Sequence, residues 1–80
     1  MSKFITELGN AVETSGKRGV YHCVTRYLFG ETKLINLTNK SDNERVAVIN
    51  DYTDSIMSAF KEGGLPSVDK AVNRLKNVYS

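Results

Sequence analysis

The single cysteine, Cys23, most constrains what this chain of 80 residues can fold into, because no internal disulfide can support it. Chains this short bury only about 60–65% of their unfolded surface, and small folds often depend on disulfides or metals. Since 40% of the residues are hydrophobic and 25% are charged, the composition is that of a globular protein. We therefore expect a single small domain over residues 1–80 with one hydrophobic core.

The same features indicate a compartment. No apolar run approaches the ~20 residues that cross a bilayer, and polar residues interrupt the N-terminus where a signal peptide needs a continuous apolar stretch. A free cysteine is typical of a reducing environment. We therefore expect a cytoplasmic protein that does not contact membranes.

The hydrophobic pattern predicts an α+β fold in the order α-β-β-β-α-α, in which a three-stranded antiparallel sheet packs against helices. Apolar residues recur at helical spacing over residues 2–14, and two glycines, Gly16 and Gly19, then break the helix. The next three segments are rich in β-branched and aromatic residues, which favour strands: residues 20–29, 33–38 and 44–50. A Gly-X turn at residues 30–31 joins the first two strands as a hairpin.

The C-terminal part predicts two helices. One spans residues 51–62 and ends at Gly63-Gly64, where one glycine is free to take a positive φ. The other begins at Pro66 and turns a set of apolar residues toward the core: Val68, Ala71, Val72, Leu75, Val78 and Tyr79. We find no internal repeat, linker or low-complexity tract.

Two of the predicted strands also fit helices. Residues 20–28 place an apolar set at helical spacing: Val20, Cys23, Val24, Tyr27 and Leu28. The sequence Ser41-Asp42-Asn43-Glu44 matches a capping box, so one helix from Asp42 to Glu62 competes with the strand over residues 44–50. Because both segments are rich in residues that favour strands, we predict strands in both.

The residues that catalysis or metal binding requires are too few. His22 and Cys23 are the only histidine and cysteine, whereas zinc sites use three or four such ligands. Adjacent strand residues point to opposite faces, so these two side chains would not form a nucleophile–base pair. Asp51 and Asp54 share a helix face, a spacing that equally suits capping and solvation. We therefore predict a protein that is not an enzyme and has no catalytic residue, metal or cofactor.

The charged residues are unevenly distributed along the chain. The net charge is +2, and residues 1–40, 41–66 and 67–80 carry +3, −3 and +2. An acidic centre of this kind suits a basic partner. We predict a partner-binding surface formed by five carboxylates and one aromatic residue: Asp42, Glu44, Asp51, Tyr52, Asp54 and Glu62.

The basic ends support an alternative prediction, a nucleic-acid-binding module. Four basic residues lie in or near the predicted loops: Lys17, Arg18, Lys33 and Lys40. The aromatic residues Tyr21, Tyr27 and Phe29 lie between them, and basic patches with interleaved aromatic rings are found in nucleic-acid-binding proteins. A viral structural or assembly protein that acts through self-association is a third hypothesis. The sequence leaves the oligomeric state open.

Residues 43–50 (Asn-Glu-Arg-Val-Ala-Val-Ile-Asn), with residues 55–63 (Ser-Ile-Met-Ser-Ala-Phe-Lys-Glu-Gly), resemble the anti-CRISPR family of small prophage-encoded inhibitors of the type II CRISPR nuclease. The element order predicted above is also similar to that family's. The resemblance implies a phage-encoded protein that binds a CRISPR complex, or another host protein, in the host cytoplasm and inhibits it by occupying a functional surface. Because the last helix carries Lys70, Arg74 and Lys76, we expect a local acidic patch and not mimicry of a whole DNA duplex.

Overall fold

The computed structural model describes residues 3–29 and 41–79, and every residue in these ranges except Ser41 lies within one of two helices. Helix α1 spans Lys3–Phe29 and helix α2 spans Asp42–Tyr79. The predicted α+β fold, with its α-β-β-β-α-α order and three-stranded antiparallel sheet, is therefore wrong, because the described residues form an all-α fold. The predicted turn at residues 30–31 and the predicted strand over residues 33–38 lie outside the described residues.

Residues 20–29, predicted as a strand, continue α1. The helix buries Val20, Cys23, Val24 and Leu28 on one side. Helix propensities of ordinary residues differ by at most ~0.7 kcal/mol each, whereas fully burying a valine or leucine side chain contributes about 1.5–3 kcal/mol. Burial of this helical face therefore outweighs the β-propensity of the segment.

The strand predicted over residues 44–50 is also wrong, because α2 begins at Asp42. The N–H of Glu44 donates to Ser41 Oγ (3.3 Å), so Ser41 caps the N-terminus of α2, and the Ser41 hydroxyl donates to the Glu44 carboxylate (3.2 Å). Val48 and Ile49 are buried. The alternative prediction of one helix that begins at Asp42 is confirmed.

Each helix is interrupted at one glycine. Gly16 (φ 63°, ψ −149°) and Gly64 (φ 71°, ψ −153°) adopt nearly the same non-helical conformation, in a region that is essentially restricted to glycine. The predicted break at Gly16 and the predicted positive φ at one glycine of the Gly63-Gly64 pair are therefore confirmed. Gly19, in contrast, is helical.

Both helices reverse direction at these bends and form helical hairpins. In α1, the ring of Phe4 near the start stacks on that of Tyr27 near the end, with centroids 3.7 Å apart. In α2, the hydroxyl of the last residue, Tyr79, donates a hydrogen bond to the carboxylate of Asp51. We refer to the parts of each helix before and after its bend as its first and second segments: residues 3–15 and 17–29 in α1, and residues 42–63 and 65–79 in α2.

One hydrophobic core contains residues of both hairpins. Gly9 lets the hairpins approach closely, since a Cβ at this position would lie 2.5 Å from Cδ2 of Leu65. The buried Thr53 has a hydrogen-bond partner, because its hydroxyl donates to the carbonyl of Ile49 (2.8 Å).

In the last segment, Val78 was predicted to face the core, but it is 64% exposed. The other residues predicted to turn inward there are buried or half-buried: Val68, Ala71, Val72, Leu75 and Tyr79.

The hairpins correspond residue by residue at a spacing of 48. When residues 3–28 are aligned with residues 51–76, the side chains have the same degree of burial (buried, half-buried or exposed) at 20 of the 26 pairs. Five pairs are identical: Ala11/Ala59, Gly16/Gly64, Val20/Val68, Val24/Val72 and Arg26/Arg74. The prediction of no internal repeat is therefore wrong. The structure shows a repeat that conservative differences such as Leu8 against Ile56 conceal in the sequence.

Candidate functional site

Four of the predicted partner-binding carboxylates lie along one side of the first segment of α2. Glu44, Asp51 and Glu62 are spaced by 7 and 11 residues, which are close to two and three helical turns, and Asp54 lies beside them. At a rise of 1.5 Å per residue, the row is about 27 Å long. Asp51 is half-buried and the other three residues are exposed. We call Glu44, Asp51, Asp54 and Glu62 the acidic row.

The other two predicted residues lie elsewhere. Asp42 is two residues before Glu44, which places it on nearly the opposite side of the helix, and its carboxylate is 3.9 Å from the guanidinium of Arg45. Tyr52 is fully buried in the core. Its burial, reinforced by the neighbouring Tyr79 and Asp51, raises the pKa of Tyr52 to about 12. The Tyr52 ring therefore belongs to the core and not to the exposed surface.

Three carboxylates of the acidic row have partners within the protein. Glu44 accepts a hydrogen bond from the Ser41 hydroxyl (3.2 Å). The Tyr79 hydroxyl donates a hydrogen bond to the Asp51 carboxylate. This hydrogen bond and, to a smaller extent, burial raise the pKa of Tyr79 to about 12. Asp54 Oδ1 lies 3.2 Å from Lys17 Nζ, and these side chains are 65% and 64% exposed. Exposed ion pairs contribute only about 0–1 kcal/mol. Asp54 can therefore exchange Lys17 for a partner at little cost.

The structure describes two of the four residues of the nucleic-acid alternative, Lys17 and Arg18. Lys17 pairs with Asp54, and Arg18 is exposed beside the first bend. Lys33 and Lys40 lie outside the described residues. Two of the interleaved aromatic residues, Tyr21 and Tyr27, are half-buried against the core, which removes part of their surface from stacking with bases.

The only histidine and cysteine lie on the second segment of α1. Burial and the nearby Glu7 raise the pKa of the Cys23 thiol, although Arg26 acts in the opposite direction. The raised pKa favours the protonated thiol, which is a poor nucleophile. His22 is exposed. Within residues 3–29 and 41–79, no group of three or more His, Cys, Asp or Glu side chains could hold a metal ion.

Two surface grooves, which the sequence did not predict, lie between the segments of the hairpins. The first, groove 1, is in α1 and has a volume of about 650 Å³, and the second, groove 2, is in α2 and has a volume of about 320 Å³. Every residue that lines groove 2 has its counterpart in groove 1 at the spacing of 48: Ala11/Ala59, Thr14/Glu62, Gly19/Ser67, His22/Lys70, Cys23/Ala71 and Arg26/Arg74. The two grooves are therefore equivalent parts of the repeat.

Arg26, Lys70 and Arg74 are candidate binding residues that the sequence prediction missed. Lys70 and Arg74 are four residues apart, as are His22 and Arg26, so each pair projects from one side of its helix. The sequence does contain a signal for them. The pattern Val-x-x-x-Val-x-Arg occurs at residues 20–26 and again at residues 68–74. Recognising it requires a comparison of segments 48 residues apart.

No family model, curated protein or solved structure matches this chain. Within its described residues, neither helix has an apolar stretch long enough to span a membrane. The acidic row and the two grooves are therefore interpreted from the chemistry of their own residues.

Proposed function

We propose that this chain is a small binding protein that inhibits a bacterial defence complex, or another host protein, by covering a functional surface with the acidic row. The observation that carries this proposal is the alignment of four carboxylates along one continuous helical segment. Negative charges repeated along a straight line fit a basic channel that normally holds a nucleic-acid backbone.

A CRISPR effector complex is the first target to test. Such complexes hold the guide–target duplex in a positively charged channel, which matches the charge of the acidic row. The resemblance of residues 43–50 and 55–63 to the anti-CRISPR family supports the same choice. Since residues 44–50 are helical, the similarity of element order no longer contributes, and the support comes from the residues alone. The inhibitor would act in the cytoplasm of the bacterial host.

The experiment measures the affinity of the protein for a purified type II CRISPR nuclease with its guide, and the inhibition of DNA cleavage. The variant Asp54→Lys/Glu62→Lys should bind about tenfold more weakly or worse, because two charges of the row then repel a basic channel. Glu13→Lys reverses an exposed carboxylate on α1 outside the row and should change the affinity by less than about twofold. Lys17→Ala breaks the ion pair with Asp54 but keeps the charges of the row, so it should preserve binding.

Circular dichroism verifies that each variant keeps its helical content. If Glu13→Lys weakens binding as much as the double variant, net charge explains the interaction and the acidic row is not the site. If the native chain neither binds nor inhibits the nuclease, the CRISPR target is rejected. Capture of binding proteins from the bacterial host, compared between the native chain and the double variant, then tests the remaining part of the proposal.

A further inference from the structure

We propose that groove 1 and groove 2 are two copies of one phosphate-binding site, through which this protein contacts the backbone of a nucleic acid. This binding is separate from the protein contact proposed for the acidic row. A fold that presents the same side chain twice suits a polymer whose charged group also repeats.

The identity of Arg26 and Arg74 is the main observation. The structure accounts for the other four identical pairs, because Gly16 and Gly64 form the bends and the alanine and valine pairs are buried or half-buried. Arg26 and Arg74 are exposed, so packing in the core does not require arginine at either position. Arg26 forms a hydrogen bond with the Cys23 thiol, but the residue equivalent to Cys23 in the second hairpin is Ala71, so this contact does not account for both arginines. An exposed charged residue that recurs at equivalent positions is therefore a candidate for binding.

Each arginine has a second side chain with an N–H donor one helical turn earlier in the same groove, His22 in groove 1 and Lys70 in groove 2. In the described part of the chain, Arg26, Lys70 and Arg74 form no salt bridge with a carboxylate. A guanidinium group binds two phosphate oxygens at once, and a lysine ammonium adds a point charge. The second segment of each hairpin therefore carries the groups that a phosphate site requires.

Each groove also contains one carboxylate, but the two carboxylates are not equivalent. Glu7 in groove 1 corresponds to Ser55, and Glu62 in groove 2 corresponds to Thr14. These carboxylates are therefore not part of the set of side chains that the two grooves share, and they lower the affinity of the grooves for an anion. Because Glu62 also belongs to the acidic row, Glu62→Gln should strengthen phosphate binding and weaken binding of the protein partner.

A nucleic acid fits two equivalent sites better than an acidic protein does. Phosphates follow one another along a nucleic-acid strand whatever its base sequence. Carboxylates along a protein surface vary in spacing and orientation with the sequence. Since a nucleic-acid backbone presents the same anion to each of two equivalent sites, we take it as the ligand of both grooves.

Fluorescence anisotropy tests this proposal, with a labelled single-stranded DNA of about 20 nucleotides, the RNA of the same sequence and the DNA duplex as probes. Arg26→Ala and Arg74→Ala should each weaken binding by about fivefold and lower the slope of log Kd against log salt concentration by about one. The double variant should lower the slope by about two. Arg18→Ala removes an exposed arginine that does not line either groove and should change Kd by less than about twofold.

Tighter binding by Glu62→Gln and unchanged or tighter binding by Asp54→Lys would support the proposal and separate this site from the protein contact of the acidic row. The preferred probe among the three identifies the source of the phosphate. Absence of binding at low salt would overturn the proposal, as would equal losses from Arg18→Ala and Arg26→Ala. An effect confined to one of the two groove arginines would refute the equivalence of the grooves. Tighter binding of poly-glutamate than of every nucleic acid would show that the ligand is an acidic protein.

Discussion

The two bends of this protein have nearly the same backbone conformation, but the glycine and the serine that flank them are in opposite order. The first bend has Ser15 before Gly16 and Gly19 after it, whereas the second has Gly63 before its bend residue and Ser67 after it. A Cβ at Gly19 would lie 2.5 Å from the Cβ of Ser15, and a Cβ at Gly63 would clash with the hydroxyl of Ser67. Each bend therefore has space for one side chain at these two positions, and either position can hold it.

The contacts that close the two hairpins also differ. In α1 the closing contact is the apolar stack of Phe4 on Tyr27, and in α2 it is the hydrogen bond from Tyr79 to Asp51. The backbone and the core positions of the hairpin are thus shared, while the chemistry of the closing contact is free to vary. The closing contact of α2 includes an ionisable donor, Tyr79, whose pKa is raised to about 12.

Substitutions at the serine and glycine that flank the first bend should change the free energy of unfolding most. Gly19→Ser should lower the free energy of unfolding by about 2–3 kcal/mol, because its Cβ overlaps Ser15 and the bend must open. The double variant Ser15→Gly/Gly19→Ser reproduces the arrangement of the second bend and should recover most of this loss. Urea unfolding of the two single variants and the double variant measures the effect. A double variant no more stable than Gly19→Ser would show that the bends are not interchangeable.

Substitution of the bend glycines, Gly16 and Gly64, should lower the free energy of unfolding by a smaller amount. Gly16→Ala and Gly64→Ala should each cost about 1–2 kcal/mol, because a residue with a Cβ rarely adopts these dihedral angles. No atom lies within 4 Å of the added Cβ at either position, so the cost comes from the backbone alone. Because the two conformations nearly coincide, chemical denaturation should give similar losses for the two variants. A large loss at one glycine and none at the other would break the equivalence of the hairpins.

The closing contact of α2 gives the smallest effect, seen only at alkaline pH. An unfolded tyrosine ionises near pH 10, whereas Tyr52 and Tyr79 have pKa values of about 12 in the folded protein. Between these values the folded state holds more protons than the unfolded state, so the stability present below pH 10 declines up to pH 12. Tyr79→Phe should make the decline in Tm over this interval shallower. An identical decline in the variant would show that Tyr79 does not contribute.

Local periodicity is sufficient to predict the helices over residues 3–14 and after Pro66, where Leu8 and Val72 are buried as expected. It failed over residues 20–29 and 44–50, since short runs rich in valine and other β-branched residues fit a strand and a buried helix equally well. The choice between them depends on burial against the other hairpin, and no local stretch of sequence contains that information.

The candidate surfaces show the same division. Segment charge led to the acidic row, because Glu44, Asp51, Asp54 and Glu62 follow one another within a single helix. The aromatic ring of Tyr52 suits an interface, but only the fold shows that this ring is buried. The grooves depend on the reversal of the chain at each bend and on a correspondence over 48 residues, so spacing within one segment could not predict them.

Backbone NMR chemical shifts test the central claim most directly, namely that the fold consists of two equivalent helical hairpins. We expect helical Cα shifts over residues 3–29 and 42–79 that are interrupted only at Gly16 and Gly64, with nuclear Overhauser contacts between the rings of Phe4 and Tyr27. Strand-type shifts over residues 20–29, accompanied by cross-strand contacts, would contradict it.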